Sequence, residues 1–318
     1  MKNSVLLMTL GLFLVACHKE EIANPPHDSG YALEAQIEMG EDYRYQLFYD
    51  LGSNEVIRSN DKVDWDLAFE SSSSGWHVVL NSSRGMAVHR GSGAFGDITS
   101  EAGLIWDWDT PDGNLDSTAI GDWQTDNGLY VLDMGYDHTG AHLGYMKLMI
   151  ADVTATEYTI EYGNLSNLTA QTTTVSKNTE SIMTYFKFGT GEVSIAPPKE
   201  DWDLLFTQYT HLFYDAFDAY LVTGVLLNRF NTSASRISEK PFSEVTYDDA
   251  IALTYSDSLD YIGYDWKWYD YNIHVYIVDP TITYVVQTSE GFYYKLHFVD
   301  FYNNLGEKGY PKLEVQQL

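Results

Sequence analysis

The 318-residue chain has one cysteine, Cys17, eight prolines, and only 18 lysines and arginines against 46 aspartates and glutamates. A single thiol excludes an intrachain disulfide. The core must be held by packing alone, and a chain of this length can bury enough apolar surface for that. The scarcity of basic residues leaves a formal net charge of −28. That excludes nucleic acid as a partner, because phosphate binding needs a cationic face. Long apolar runs are missing as well. VLLMTLGLFLVA (residues 5–16) is too short to span a bilayer stably, and nothing after it is longer. There is no G-x-S-x-G, no H-E-x-x-H and no P-loop. In so acidic a chain, carboxylates close in sequence identify no acid–base pair. The chain does not read as an enzyme.

What the sequence does contain is a tetrapeptide used twice. Asp64-Trp65-Asp66-Leu67 continues as Ala-Phe, and Asp201-Trp202-Asp203-Leu204 as Leu-Phe. The surroundings repeat in the same order. YRYQLFYDLGSNEVIRSNDKV (from Tyr43) answers to IMTYFKFGTGEVSIAPPKE (from Ile182). Further on, IGDW (Ile120 to Trp123) answers to IGYDW (Ile262 to Trp266), and the block from Tyr130 to the block from Tyr284. Self-similarity of this kind predicts one module written twice. As a strand, the tetrapeptide would put Trp65 and Leu67 on one face and Asp64 and Asp66 on the other. Asp66 then reads as a partner for a nearby backbone N–H rather than a chemical group.

The front of the chain is a targeting segment. Met1 to Ala16 has a positive Lys2 and an apolar stretch of signal-peptide length. LVAC (Leu14 to Cys17) resembles the lipobox of secreted lipoproteins, which implies cleavage before Cys17 and acylation of Cys17. HKEEIANPPHDSG follows, and its acids resemble the surface-export signal of Bacteroidetes-type lipoproteins. The expectation is a lipid anchor in the outer membrane, with the protein facing the cell exterior. Residues 17–33 form the tether, 34–172 the first β repeat and 173–318 the second. Thr172 to Ser181 is the expected seam. Short Val/Ile/Thr/Tyr-rich runs separated by Gly, Asn, Asp and Ser predict strands throughout, including Tyr43–Tyr49, Leu143–Val153, Tyr220–Leu227, His274–Val278 and Tyr293–Phe301. Only Phe242 to Leu253 suggests a short helix. The predicted fold is all-β: two homologous, mainly antiparallel β units packed together.

The order WDLAF, a further strand, a Gly-rich turn and a strand pair such as YVVQTSEGFYYKLHFVDF resembles the HmuY-like family, once in each half. The likeness is strongest at Trp65–Phe69, Trp202–Phe206 and Tyr284–Phe301. These are outer-surface lipoproteins with an all-β fold, and founding members bind haem between two histidines. The resemblance implies haem as ligand, with haem or a haem protein and an outer-membrane receptor as partners. It carries no ligand over residue by residue: the stretch after Trp266 reads WKWYDYN, with an aromatic such as Tyr271 where a histidine is expected. Among the nine histidines, His18 and His27 lie in the tether. His211, in FTQYTHLFYDAF, and His274, in YDYNIHVYIV, are the candidate cofactor-binding residues, with a half-buried strand histidine as the plain reading of each. His138 and His142 read as turn residues; His77 and His89 are weaker still. GSGAFG (Gly91 to Gly96) matches a dinucleotide fingerprint in letters only, since its setting is not βαβ. DWDTPDGNLD (Asp107 to Asp116) is an acidic turn whose spacing is not that of an EF-hand. Three functions follow from this: capture of haem or a similar flat ligand, a non-haem adhesion or ligand-binding module for glycan, peptide or a partner lipoprotein, and a structural part of an outer-membrane complex.

Overall fold

A computed structural model describes residues 30–318 except Asn127, Ala216 and Phe217. The strands of the first half are β1 (Leu33–Gln36), β2 (Tyr45–Asp50), β3 (Glu55–Asp61), β4 (Leu67–Glu70), β5 (Val78–Leu80), β6 (Ala87–Gly91), β7 (Leu129–Asp133), β8 (Tyr145–Val153) and β9 (Glu157–Asn164). They are followed by β10 (Gln171–Ser176), β11 (Met183–Lys187), β12 (Gly191–Val193), β13 (Leu204–Phe213), β14 (Asp218–Leu227) and β15 (Ser233–Ile237). The last are β16 (Lys267–Asp270), β17 (Val275–Val278), β18 (Thr283–Gln287), β19 (Tyr293–Tyr302) and β20 (Lys308–Gln317). The α-helices among the described residues are the short Trp123–Asp126 and Tyr247–Ala252. The second, within the predicted helical stretch, starts from a capping box between Thr246 and Asp249.

The sheets are antiparallel throughout and come in matching pairs. Two have five strands, in the orders β10-β9-β8-β7-β6 and β1-β20-β19-β18-β15. Two have four, in the orders β12-β11-β4-β5 and β14-β13-β2-β3. A two-stranded ribbon, β16-β17, completes the set. The halves of the chain interleave. β2, early in the chain, pairs with β13, while β11 pairs with β4. The expected boundary at residues 172/173 falls inside β10, a strand laid against β9.

Alternation along the strands of the four-stranded sheets builds the layers. Leu47 and Tyr49 of β2, with Leu204 and Phe206 of β13, face one core with Tyr284, Leu296, Phe298 and Leu313. Leu67 and Phe69 of β4 face another, with Tyr130, Leu148, Tyr158 and Ile160. The intervening residues Phe48, Ala68, Met183, Tyr185 and Leu205 point the other way, into a third cluster between the two four-stranded sheets. Four sheet layers therefore enclose three apolar seams, each a strip of side chains at period two.

The repeated tetrapeptide starts its strands later than its pattern suggests. Asp64-Trp65-Asp66 is irregular, and β4 begins at Leu67; β13 likewise begins at Leu204. Trp65 packs in the seam between the four-stranded sheets and Leu67 in the core beyond, so they share no face. Asp66 and Asp203 do not face solvent: each is buried. The physical reason is backbone bonding. Asp66 N–H donates to Phe186 O at 2.8 Å and Asp203 N–H to Tyr49 O at 2.9 Å. Each side chain then caps the partner strand's end: Asp66 Oδ2 accepts from Phe188 N at 2.7 Å, Asp203 Oδ2 from Leu51 N at 3.0 Å.

Other contacts match in the same way. Asn81 Nδ2 donates to the carbonyls of Lys62 and Trp65, and Asn228 Nδ2 to those of Lys199 and Trp202, all at 2.7–2.8 Å. Lys147 Nζ donates to Phe95 O and Ile98 O while lying over the Phe95 ring. Lys295 Nζ does the same with Phe242 O, Val245 O and the Phe242 ring.

Candidate functional site

The two candidate histidines lie on neighbouring hairpins. His211 is in β13, directly opposite Tyr220 of β14. Its ring meets Phe213 edge-on at 4.8 Å and Tyr264 at 5.0 Å. Its Nδ1 is buried without a hydrogen-bond partner, and Asp260 Oδ2 stands 4.0 Å away. His274 is not in a strand: it sits in the β16–β17 turn with φ 58°, exposed, its Nδ1 3.5 Å from the Tyr269 hydroxyl. The Asp270 carbonyl accepts the His274 N–H and closes that turn. No contact joins His211 to His274 among the described residues.

The remaining described histidines each have a polar neighbour, although His77 Nε2, His138 Nδ1 and His297 Nδ1 are also buried without a hydrogen bond. His77 holds Glu70 at 2.6 Å, and His142 Nε2 holds Asp133 at 2.8 Å. His89 Nδ1 meets Ile105 O at 3.0 Å, His138 lies 3.9 Å from Asp42, and His297 pairs with Glu314. Cys17, His18 and His27 lie outside the described residues. Tyr271, at the position where the family's histidine was expected, is 80% exposed at the ribbon's tip.

Around His211 the chain leaves aromatic rings in solvent. Phe213, Tyr214 and Tyr220 end the β13–β14 hairpin, and Trp268 and Tyr271 belong to the ribbon; all are exposed. Successive tyrosines tie the ribbon to the body: Tyr269 meets Tyr276 at 5.1 Å, and Tyr276 meets Phe301 at 5.1 Å. The ribbon is fastened to β14 in two ways. Gly263, just before it, exchanges backbone hydrogen bonds with Val225. Buried Lys267 donates to Thr223 O at 2.6 Å while lying over the rings of Trp266 and Phe301. Burial among those rings depresses the Lys267 ammonium to about 7. The result is an aromatic shelf with an imidazole in it. Such rings offer flat apolar area with polar edges.

Two hollows lie elsewhere. Between the four-stranded sheets is a cavity of about 130 Å³, walled by Trp65, Met183, Trp202 and Leu205, with Asp109 and Arg229 also on its lining. At the roughly 30 Å³ that a water occupies in the liquid, it has room for about four waters. It contains no histidine, and a macrocycle of roughly forty heavy atoms exceeds it. A wider cleft of about 390 Å³ is rimmed by Asp50, Glu55, Glu200, Asp201, Asp203 and Glu290. Its charge opposes an anionic ligand, and it too lacks an imidazole. Among the described residues, no group of three or more His, Cys, Asp or Glu is placed to hold a metal ion. No helix among them is long and apolar enough to cross a membrane.

The acidic turn has a different role from the solvated one its sequence suggests. Asp109 turns inward, its oxygens accepting from Leu80 N at 2.7 Å and Ala119 N at 2.8 Å. Desolvation raises it to about 6 despite these bonds. Sequence reasoning missed Arg229 and Tyr209. The only available signal for Arg229 was a mismatch between the halves: Asn81 is followed by Ser82, Asn228 by Arg229.

Among solved structures, a protein of Bacteroides vulgatus described as HmuY-like and haem-binding is 12% identical, over 89% of this chain and 90% of its own, with a TM-score of 0.25. An apo HmuY analog of Tannerella forsythia is 11% identical over 90% and 95%, with a TM-score of 0.27. A protein of Bacteroides fragilis described as a lipoprotein is 14% identical over 55% and 90%, with a TM-score of 0.22. No curated protein matches. The family model described as HmuY protein matches residues 42–315. That span takes in both tryptophan-bearing tetrapeptides and the Tyr284–Phe301 strand pair on which the resemblance rests, and the chain belongs to the HmuY family.

Proposed function

We propose that the protein is anchored in the outer membrane by lipid on Cys17, faces the cell exterior, and captures haem on the aromatic shelf for delivery to an outer-membrane receptor. The observation that carries this is the part-exposed imidazole of His211, set among the exposed rings of Phe213, Tyr214 and Tyr220. Family membership supports it, as does the haem-binding description of one relative. The LVAC motif and the acids behind it support the anchor.

The shelf's chemistry fits the group. Haem iron accepts an imidazole nitrogen as axial ligand. His211 would supply it, held in place by its ring contacts with Phe213 and Tyr264. His274, on the ribbon's turn, is the second residue that would hold the iron. Tyr220, Trp268 and Tyr271 would cover the macrocycle's faces. We infer further that the chain is one β module written twice, with the leading hairpins β2–β3 and β11–β12 exchanged between copies. The matched bonds of Asp66 with Asp203, Asn81 with Asn228 and Lys147 with Lys295 support that reading.

Titration of the mature protein with haemin, followed at the Soret band, tests the function. The expected result is a saturable red shift, weakened by His211→Ala and, to a lesser degree, by His274→Ala. A spectrum that stays that of free haemin overturns it. The second reading, a glycan- or peptide-binding module, is favoured by exposed Trp268 and Tyr271 beside the carboxylate of Asp270. It predicts array binding lost on Trp268→Ala without any Soret response.

A further inference from the structure

We propose that the cavity between the two four-stranded sheets is a binding site for a small apolar carboxylate, separate from the shelf. Its walls are the rings and aliphatic chains of Trp65, Met183, Trp202 and Leu205. Most polar side chains on the lining are bonded; the exceptions are the donors that matter. The two indoles make the point by contrast. Trp65 Nε1 donates to Gln46 Oε1 at 2.8 Å. The residue that matches Gln46 in the other half is Met183, which offers no such oxygen, and Trp202 Nε1 has no acceptor among the described residues.

Arg229 is the decisive group. Its Nη1 donates to the Gly113 carbonyl, and no carboxylate lies within salt-bridge distance of it among the described residues. The acid on the same lining, Asp109, has both oxygens committed to backbone N–H groups. A guanidinium in a half-buried apolar setting with unused N–H groups is suited to a carboxylate, which it can grip with two parallel bonds. A cavity of about 130 Å³, close to the roughly 150 Å³ that takes one benzene ring, holds a single ring with a charged head at its margin. The class is therefore a single-ring or short-chain monocarboxylate, its tail between the two indoles and its head on Arg229.

The test is calorimetric titration of the mature protein with 3-phenylpropionate, its neutral amide and 2-phenylethylamine, with tryptophan fluorescence as a second readout. The acid should bind saturably, about tenfold or more tighter than the amide. Arg229→Gln should erase that preference and leave amide binding and the melting temperature unchanged. Should Arg229→Gln fail to fold, Arg229→Lys keeps the charge and loses the fork, and should bind the acid at an intermediate strength. Trp202→Phe should weaken the acid about threefold. Haemin titration should be unaffected by Arg229→Gln, which separates this site from the shelf. No saturable heat, equal binding of acid and amide, preference for the amine, or an Arg229→Gln protein that binds the acid as before would each overturn the proposal.

Discussion

Asp203 carries a pH response that can be worked out from its surroundings. Burial comes first, then the nearby Asp50 carboxylate, and together they raise it to about 7. In the unfolded chain it titrates near 4. Between those values the folded form holds a proton that the unfolded form has lost, so stability falls as pH rises from about 4 to about 7. Melting temperature should therefore drop across that window, and Asp203→Asn, which keeps an oxygen for Leu51 N, should flatten the drop. An unchanged slope in the variant would remove Asp203 from the account. Asp66, at the matching position, is paired instead with buried Arg84 at 2.8 Å. The same letter in the same motif thus does different work, and only the neighbours outside the motif decide which. A second residue-scale prediction concerns Lys147, whose Nζ serves three carbonyls, those of Phe95, Ile98 and Asn167. Lys147→Met would leave them without donors and should cost about 2–3 kcal/mol in urea denaturation.

At the scale of elements, the shelf depends on how closely the ribbon's root approaches β14. A Cβ on Gly224 would stand 2.3 Å from the Gly263 carbonyl oxygen, backbone against backbone. Gly224→Ala should push that segment away, loosening the Val225–Gly263 bridge and weakening haemin binding. Stability should fall by about 1–3 kcal/mol. Haemin binding as tight as in the unmodified protein would show that the ribbon is not part of the site. Strands such as β9 and β19 were legible from alternation, because half-buried strands write their burial into the sequence. The start of β4 and β13 was not, because a side chain of Asp66 or Asp203 bonding a backbone N–H leaves no periodic trace. His274 was misjudged for a related reason. YNIHVYIV alternates like a strand, but the turn reaches through His274 with positive φ. His211 could be singled out only by its aromatic company, which is what its ring contacts consist of.

For the whole molecule, interleaving makes the two halves one folding unit. The core that holds Leu204 and Phe206 also holds Leu47 and Tyr49, and the one that holds Leu67 and Phe69 also holds Val175 and Phe186. Neither half can bury its own four-stranded sheet alone. Calorimetry should show a single transition, and residues 30–172 and 173–318 expressed separately should fail to give native-like spectra until mixed. Two resolved transitions would contradict this. The parallel order of the sequence blocks was legible; the pairing of β2 with β13 and of β11 with β4 was not, because either pairing satisfies the same alternation. The cavity was invisible for the same reason. It lies between the two four-stranded sheets, and Arg229 on its lining occupies a position where the halves differ.

β1 is hydrogen-bonded to β20 along Leu33–Val315 to Gln36–Lys312. The first described strand to leave the ribosome thus waits for the last. At roughly 10 residues per second that delay is about half a minute, during which β1 has a bare edge. A chain stopped before residue 308 would keep that edge open for good. The cell would have to shelter the polypeptide until synthesis ends, and premature release should send it to aggregates rather than to a shortened fold.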